Sequence, residues 1–163
     1  MEKHDVLIIM GSKSDLPVMK AAREALESFG VSSRMKIASA HRTPGLLKNI
    51  VDESEKNGAR VIIAGAGYAA HLAGAIAAHT TLPVIGVPLA SSDLRGLDSL
   101  LSTVQMPAGI PVATMGIGES GAKNAAIFAV QILAAGDAAL RQKLAVHREE
   151  MKKKIEKDNE ALS

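Results

Sequence analysis

Val6-Leu7-Ile8-Ile9-Met10-Gly11-Ser12-Lys13-Ser14-Asp15-Leu16-Pro17 is the stretch whose reading decides the fold. Five consecutive apolar residues with no polar alternation predict a strand buried on both faces, ended by Gly11. Val18, Met19, Ala22, Leu26 and Phe29 then recur at helical spacing, which predicts a helix over residues 16–29. Ser14 or Asp15 can cap its start, Pro17 fits its first turn, and Gly30 stops it.

The same unit repeats outward along the chain. Residues 34–38 read as a weaker strand, followed by a polar loop and a helix over 44–57. Residues 61–64 read as a clear strand, followed by Gly65-Ala66-Gly67 and an Ala-rich helix reaching His79. Strands are expected at 83–87 and 111–114, with one or two helical turns at 98–104 between them. An Ala-rich helix spans 119–135 and stops at Gly136; Asp137 caps a last helix striped with Leu140, Leu144, Met151 and Ile155. Residues 1–136 thus form one α/β domain and 137–163 a helical extension, expected to pack on a neighbouring subunit. Short connections between alternating strands and helices argue for a parallel sheet with helices on both faces.

In such sheets ligands bind beyond the carboxyl ends of the strands. The polar and glycine clusters fall at those ends: Gly11 to Asp15, Ser39-Ala40-His41-Arg42-Thr43-Pro44, Gly65 to His71, and Ser91-Ser92 shortly after the fourth strand. They are expected to converge on one edge.

Composition narrows the function. Of 163 residues, 47% are hydrophobic but only 2% aromatic, so Ala, Val, Ile, Leu and Met must build the core. Two Phe, one Tyr and no Trp leave base-stacking platforms for nucleic acid nearly absent. The net charge of +2 comes largely from residues 141–157, where Lys and Arg alternate with Glu as on a solvated helix face. The absence of Cys excludes disulfides, thiolate metal sites and Cys nucleophiles. The five His show no metal-ligand spacing, and no Gly-x-Ser-x-Gly elbow supports a hydrolase triad. No apolar run is long enough for a bilayer and no signal segment is legible, so the expected setting is the cytoplasm.

Gly11 to Asp15 opens a helix, where free amides, the helix dipole and the Ser12 and Ser14 hydroxyls suit an anion. A capped helix start explains it as readily. Asp15 suits sugar hydroxyls better than phosphate. Arg42 can grip a phosphate with two parallel hydrogen bonds, and adjacent His41 can exchange protons near neutral pH. Gly65 to His71 forms a wall of small residues offering backbone amides, with His71 either touching substrate or holding the loop. His79 reads as a helix-end residue, His4 and His147 as surface residues.

These segments, with Asp98-Ser99-Leu100-Leu101-Ser102, Val104-Gln105-Met106-Pro107, Gly109-Ile110-Pro111-Val112-Ala113-Thr114 and Ala122-Lys123-Asn124-Ala125-Ala126, stand in one register over almost the whole chain. Together they resemble the class I N5-carboxyaminoimidazole ribonucleotide mutases of purine (IMP) biosynthesis. The resemblance implies a flavodoxin-like three-layer α/β/α fold and a homo-octamer with active sites at subunit junctions. It implies a nucleotide substrate whose carboxylate moves from the exocyclic nitrogen to carbon 4 of the imidazole ring. It implies no metal, cofactor or covalent intermediate, and functional coupling to an ATP-dependent synthetase that makes the substrate. By the same resemblance Ser14, Ser39 and Arg42 hold phosphate, Asp15 holds the ribose, and Ser12 lines the site. His41 carries the proton. His71 and the wall of Gly65, Ala66, Gly67, Ala70 and Leu72 surround the base and carboxylate.

Two positions depart from the family pattern, which has Gly where Tyr68 stands and Pro where Ala73 stands. A positive φ at position 68 would strain Tyr. The competing readings are a class II enzyme that carboxylates aminoimidazole ribonucleotide directly with carbon dioxide, a non-catalytic nucleotide-binding module, and a mainly structural oligomer. The Ala-Ala-His stretch and the Gln-Met-Pro segment favour class I, and His41 separates an enzyme from a sensor.

Overall fold

The computed structural model describes residues 3–162. Its elements run β1 (Val6–Met10), α1 (Leu16–Ser28), β2 (Ser33–Ile37), α2 (Pro44–Lys56), β3 (Val61–Ala66), α3 (Leu72–Ala77), β4 (Val84–Pro88), α4 (Leu97–Val104), β5 (Ala113–Thr114), α5 (Glu119–Ala134) and α6 (Ala138–Glu160). All pairings are parallel, in the order β2-β1-β3-β4-β5, which is the flavodoxin-like order.

The unbroken apolar strands follow from burial on both sides. Val6, Ile8 and Met10 of β1, with Val61, Ile63, Ile85 and Val87, pack against α1 and α5. The alternate residues Leu7, Ile9, Ile62, Ala64 and Val84 pack against α2 and α3 on the other face. Small residues let the layers close. Ala122, Ala125, Ala126 and Ala129 of α5 are fully buried, and α5 lies along α1. The alanine face of α5 is therefore spent inside the subunit and gives no support to a purely structural oligomer.

Boundaries differ from expectation mainly around loops. β3 runs on through Gly65 and Ala66, placing both in the sheet, with Gly65 paired to Met10 and Val87. α3 stops at Ala77, so His79 lies just past its end. The start of α1 is capped neither by Ser14 nor by Asp15. Ser12 caps a preceding 3-10 turn, Lys13–Asp15, and the Asp15 carboxylate folds back to accept from the Ser12 N–H at 2.9 Å. Asp137 caps α6 as expected, accepting from Ala139 and Leu140 N–H groups.

Two histidines are not surface residues. His4 is only 3% exposed, its N–H directed to Asn57 O where the N-terminal segment passes the end of α2. His147 is half-buried and packs edge-on against Phe29 at 5.2 Å, helped by Lys143, whose ammonium donates to Phe29 O at 2.7 Å. These contacts fasten the first half of α6 to the end of α1. Among the described residues no helix is long and apolar enough to cross a membrane.

Candidate active site

In the order 2-1-3-4-5 the chain reverses direction across the sheet between β1 and β3, so the loops after them splay apart. A cleft of about 470 Å³ opens there, a size that suits a small molecule. Every residue lining it follows β1, β2 or β4, or belongs to the end of β3, the loop after it, or the first residue of α3. The clusters expected to converge do so.

The first wall is built by the Ser12 cap. Ser12 Oγ accepts from Ser14 N–H at 3.4 Å and lies 3.0 Å from Ser14 Oγ, so the two hydroxyls are held side by side at the cleft. Asp15 lies behind them, only 7% exposed. Burial pushes its carboxyl above the ordinary range, more than hydrogen bonds from Ser12, Ser14 and Gly11 and the nearby Arg42 charge pull it down. An acceptor short of hydration at the edge of a cleft is well placed for ligand hydroxyls.

The second wall is the loop after β2. Thr43 precedes α2, but its Oγ1 does not cap the helix; it accepts from Ser39 N–H at 2.9 Å and donates to Ser39 O, tightening the loop into a clasp. Ser39 Oγ in turn accepts from Arg42 N–H and Nε at 3.2 and 3.4 Å, while one terminal nitrogen of Arg42 donates to Gly11 O at 3.2 Å. The guanidinium thus ties the β2 loop to the β1 loop, next to Ser12 and Ser14. An oxyanion there meets a cation and several hydroxyls.

The third wall carries the proton chemistry. His41 Nε2 and His71 Nδ1 are 2.7 Å apart, with the rings nearly perpendicular. One nitrogen must then donate and the other accept, so the pair shares a single hydrogen and retains a lone pair for it. Both imidazoles are exposed to the cleft. Among the described residues no cluster of three or more His, Asp or Glu is arranged to hold a metal ion.

Of the residues singled out from sequence, Ser12, Ser14, Asp15, Ser39, His41, Arg42, Ala66, Gly67, His71 and Leu72 line this one cleft. Gly65 and Ala70 do not. Gly65 turns its Cα to Met19, whose sulfur would lie 2.3 Å from an added Cβ, and Ala70 is buried behind the wall. Ala73 is buried among the residues beneath α3, away from the cleft. Gly11, Ala40, Tyr68, Ala69 and Ser91 also line it. The signal for Ser91 was its position after a strand; a Cβ on Gly67 would come within 2.4 Å of its hydroxyl, so Gly67 must be glycine for the β3 and β4 loops to meet.

The AIR carboxylase family model matches residues 5–154. The chain belongs to the AIR carboxylase family. It is 58% identical to the N5-carboxyaminoimidazole ribonucleotide mutase of Pyrococcus abyssi, over 90% of this chain and 83% of that one. It is 55% identical to the mutase of the same name from Escherichia coli K12, over 85% and 82%. Among solved structures, Treponema denticola PurE superposes with a TM-score of 0.88 at 28% identity, covering 97% of this chain and 98% of that one. The family match spans all three walls of the cleft and all five strands.

Proposed function

We propose that this chain is an isomerase of purine biosynthesis, converting N5-carboxyaminoimidazole ribonucleotide to 4-carboxy-5-aminoimidazole ribonucleotide. The observation that carries the reading is the proton-sharing His41–His71 pair, 2.7 Å apart, in the same cleft as an Arg42–Ser39 anion grip. Relatives bearing that mutase name are identical to it at more than half of the aligned positions.

The substrate's phosphate sits against Ser14, Ser39 and Arg42, beside Ser12, and its ribose hydroxyls donate to Asp15. The base then reaches His41. Protonated His41 gives its proton to the exocyclic nitrogen as the carbon–nitrogen bond of the carbamate breaks, leaving aminoimidazole ribonucleotide and carbon dioxide. Carbon 4 attacks the retained carbon dioxide, forming the new carbon–carbon bond, and His41 removes the ring proton. One imidazole serves as acid and then base, so the cycle needs no net proton. His71 receives or returns the shared hydrogen and holds the His41 ring in place. The walls of Ala66, Gly67, Ala69 and Leu72 offer no polar side chain, which limits water at the reacting carbon.

A homo-octamer is part of the same proposal, together with supply of the substrate by an ATP-dependent synthetase and a cytoplasmic setting. Leu94, Leu97, Leu101 and Val104 form an exposed apolar stripe on and before α4, and Val146, Met151 and Ile155 are exposed along α6. Stripes of this kind suit contacts between copies.

His41→Asn tests the chemistry. Product formation from N5-carboxyaminoimidazole ribonucleotide is expected to fall by at least about a hundredfold, the lower end of a lost general acid–base contribution. Nucleotide binding measured by calorimetry stays close to wild type. Substantial residual turnover would remove His41 from its role. A wild-type enzyme that instead consumes only aminoimidazole ribonucleotide and carbon dioxide would assign it to the class II reaction.

A further inference from the structure

We infer that Tyr68 is a substrate-positioning residue whose ring covers the base end of the cleft beside His41 and His71; this rests on the mutase reading above. Tyr68 lines the cleft on the loop that also carries His71. Its φ is +54°, in the left-handed region where a Cβ crowds the backbone and glycine is favoured. Its side chain is 63% exposed, and no hydrogen bond or ring contact reaches it among the described residues. A strained backbone is thus maintained around a large ring that gains nothing from the protein itself.

The strain is not incidental to a turn. Among the described residues the other non-glycine with positive φ, Arg95 at +50°, stands in a turn that its own N–H closes onto Ser92 O, away from the cleft. Tyr68 instead stands between two anchored points. On one side Gly67 is pressed against the Ser91 side chain; on the other, His71 N–H closes onto Ala69 O at 2.8 Å. Tyr68 is thus bracketed by a glycine that meets Ser91 and by the histidine that pairs with His41. An observed outlier that nothing in the free chain compensates points to a contact made with ligand.

The place of the ring sets what it touches. Phosphate and ribose fall to Ser12, Ser14, Ser39, Arg42 and Asp15, so the planar aminoimidazole falls to the remaining part of the cleft, which the loop carrying Tyr68 and His71 lines. An aromatic side chain stacks on a heterocycle regardless of its exact substituents. It also narrows the exit for carbon dioxide between the two bond changes.

The test compares wild type, Tyr68→Phe and Tyr68→Gly with N5-carboxyaminoimidazole ribonucleotide. It measures carboxylated product and free aminoimidazole ribonucleotide released, with the enzyme-free decay subtracted. Tyr68→Gly is expected to raise KM on the order of tenfold, as for loss of one base–aromatic stack. It also releases severalfold more aminoimidazole ribonucleotide per product formed, with a thermal midpoint no lower than wild type. Tyr68→Phe retains the wild-type KM and partition. Wild-type KM and partition in Tyr68→Gly would overturn the inference. So would a change in sedimentation alone with kinetics intact, which would assign the ring to a contact between copies. Failure of the wild type to form the carboxylated product would sink the mutase reading itself, a result separate from either of these.

Discussion

Burial takes water away from the Asp15 carboxyl faster than Ser12, Ser14, Gly11 and Arg42 replace it, so the folded chain holds a proton there more tightly than the unfolded chain does. From about pH 4, where an unfolded Asp ionises, up to the raised folded value, the native state binds the extra proton. Stability from this residue therefore falls as pH rises through that window and stays at its lower level above it. Asp15→Asn removes the penalty while its amide oxygen still accepts from the Ser12 N–H. The variant is expected to match wild-type thermal stability below about pH 4 and to exceed it at neutral pH, where Asp is charged. Ribonucleotide affinity measured by calorimetry should fall on the order of ten- to a hundredfold, as for loss of a charged acceptor. Equal affinity would remove Asp15 from the ribose subsite. The residue type and its place after β1 were legible from sequence. Its burial was not, because it depends on the Ser12 cap folding the carboxyl inward, and a Ser-x-Ser-Asp turn permits three different caps.

At the scale of elements, two glycines show how close packing is shared between flexible and rigid neighbours. A Cβ at Gly65 would meet the Met19 side chain, a flexible thioether that can swing aside. A Cβ at Gly121, in the first turn of α5, would lie 1.6 Å from the Gly116 carbonyl oxygen, which belongs to the backbone. Gly65→Ala is expected to cost about 1–3 kcal/mol of unfolding free energy, typical of overpacking that side chains absorb. Gly121→Ala must displace the 116–118 turn and is expected to cost more, above about 4 kcal/mol. Urea denaturation of both variants checks the ordering; equal losses would contradict it. The helices and the four main strands were legible because apolar periodicity and Gly or Pro punctuation agree along them. The end of β3 was not, since Gly65-Ala66 reads as loop chemistry until Met10 and Val87 are seen pairing with it. The two-residue β5 was overextended for a related reason: Pro111 and Val112 look extended, but only Ala113 and Thr114 join the ladder.

For the whole molecule, the order 2-1-3-4-5 turns four separate polar clusters into one cleft, and that convergence was foreseeable because each cluster follows a strand. Which apolar faces the subunit keeps for itself was not. Both α5 and α4 read as helices rich in small or apolar residues, yet α5 buries its alanines against α1. α4 leaves Leu97 and Leu101 about half exposed, at 54% and 50%, and turns inward only Ser99, Thr103 and their neighbours. Ser99 Oγ donates to Leu89 O just past β4, and Thr114 Oγ1 of β5 donates to Thr103 O, so polar groups tie α4 to the sheet while its leucines face outward. That inversion of the usual amphipathic arrangement places α4 at the proposed contact between copies. Leu97→Glu with Leu101→Glu removes only the inward half of each leucine's packing and is expected to convert the assembly to monomer, read by sedimentation velocity. Circular dichroism and thermal unfolding should show the α/β fold intact. An unchanged assembly in the double variant would move the contact from α4 to the exposed face of α6. A wild type that sediments as a monomer would remove the octamer altogether, leaving the cleft of a single subunit to carry the reaction.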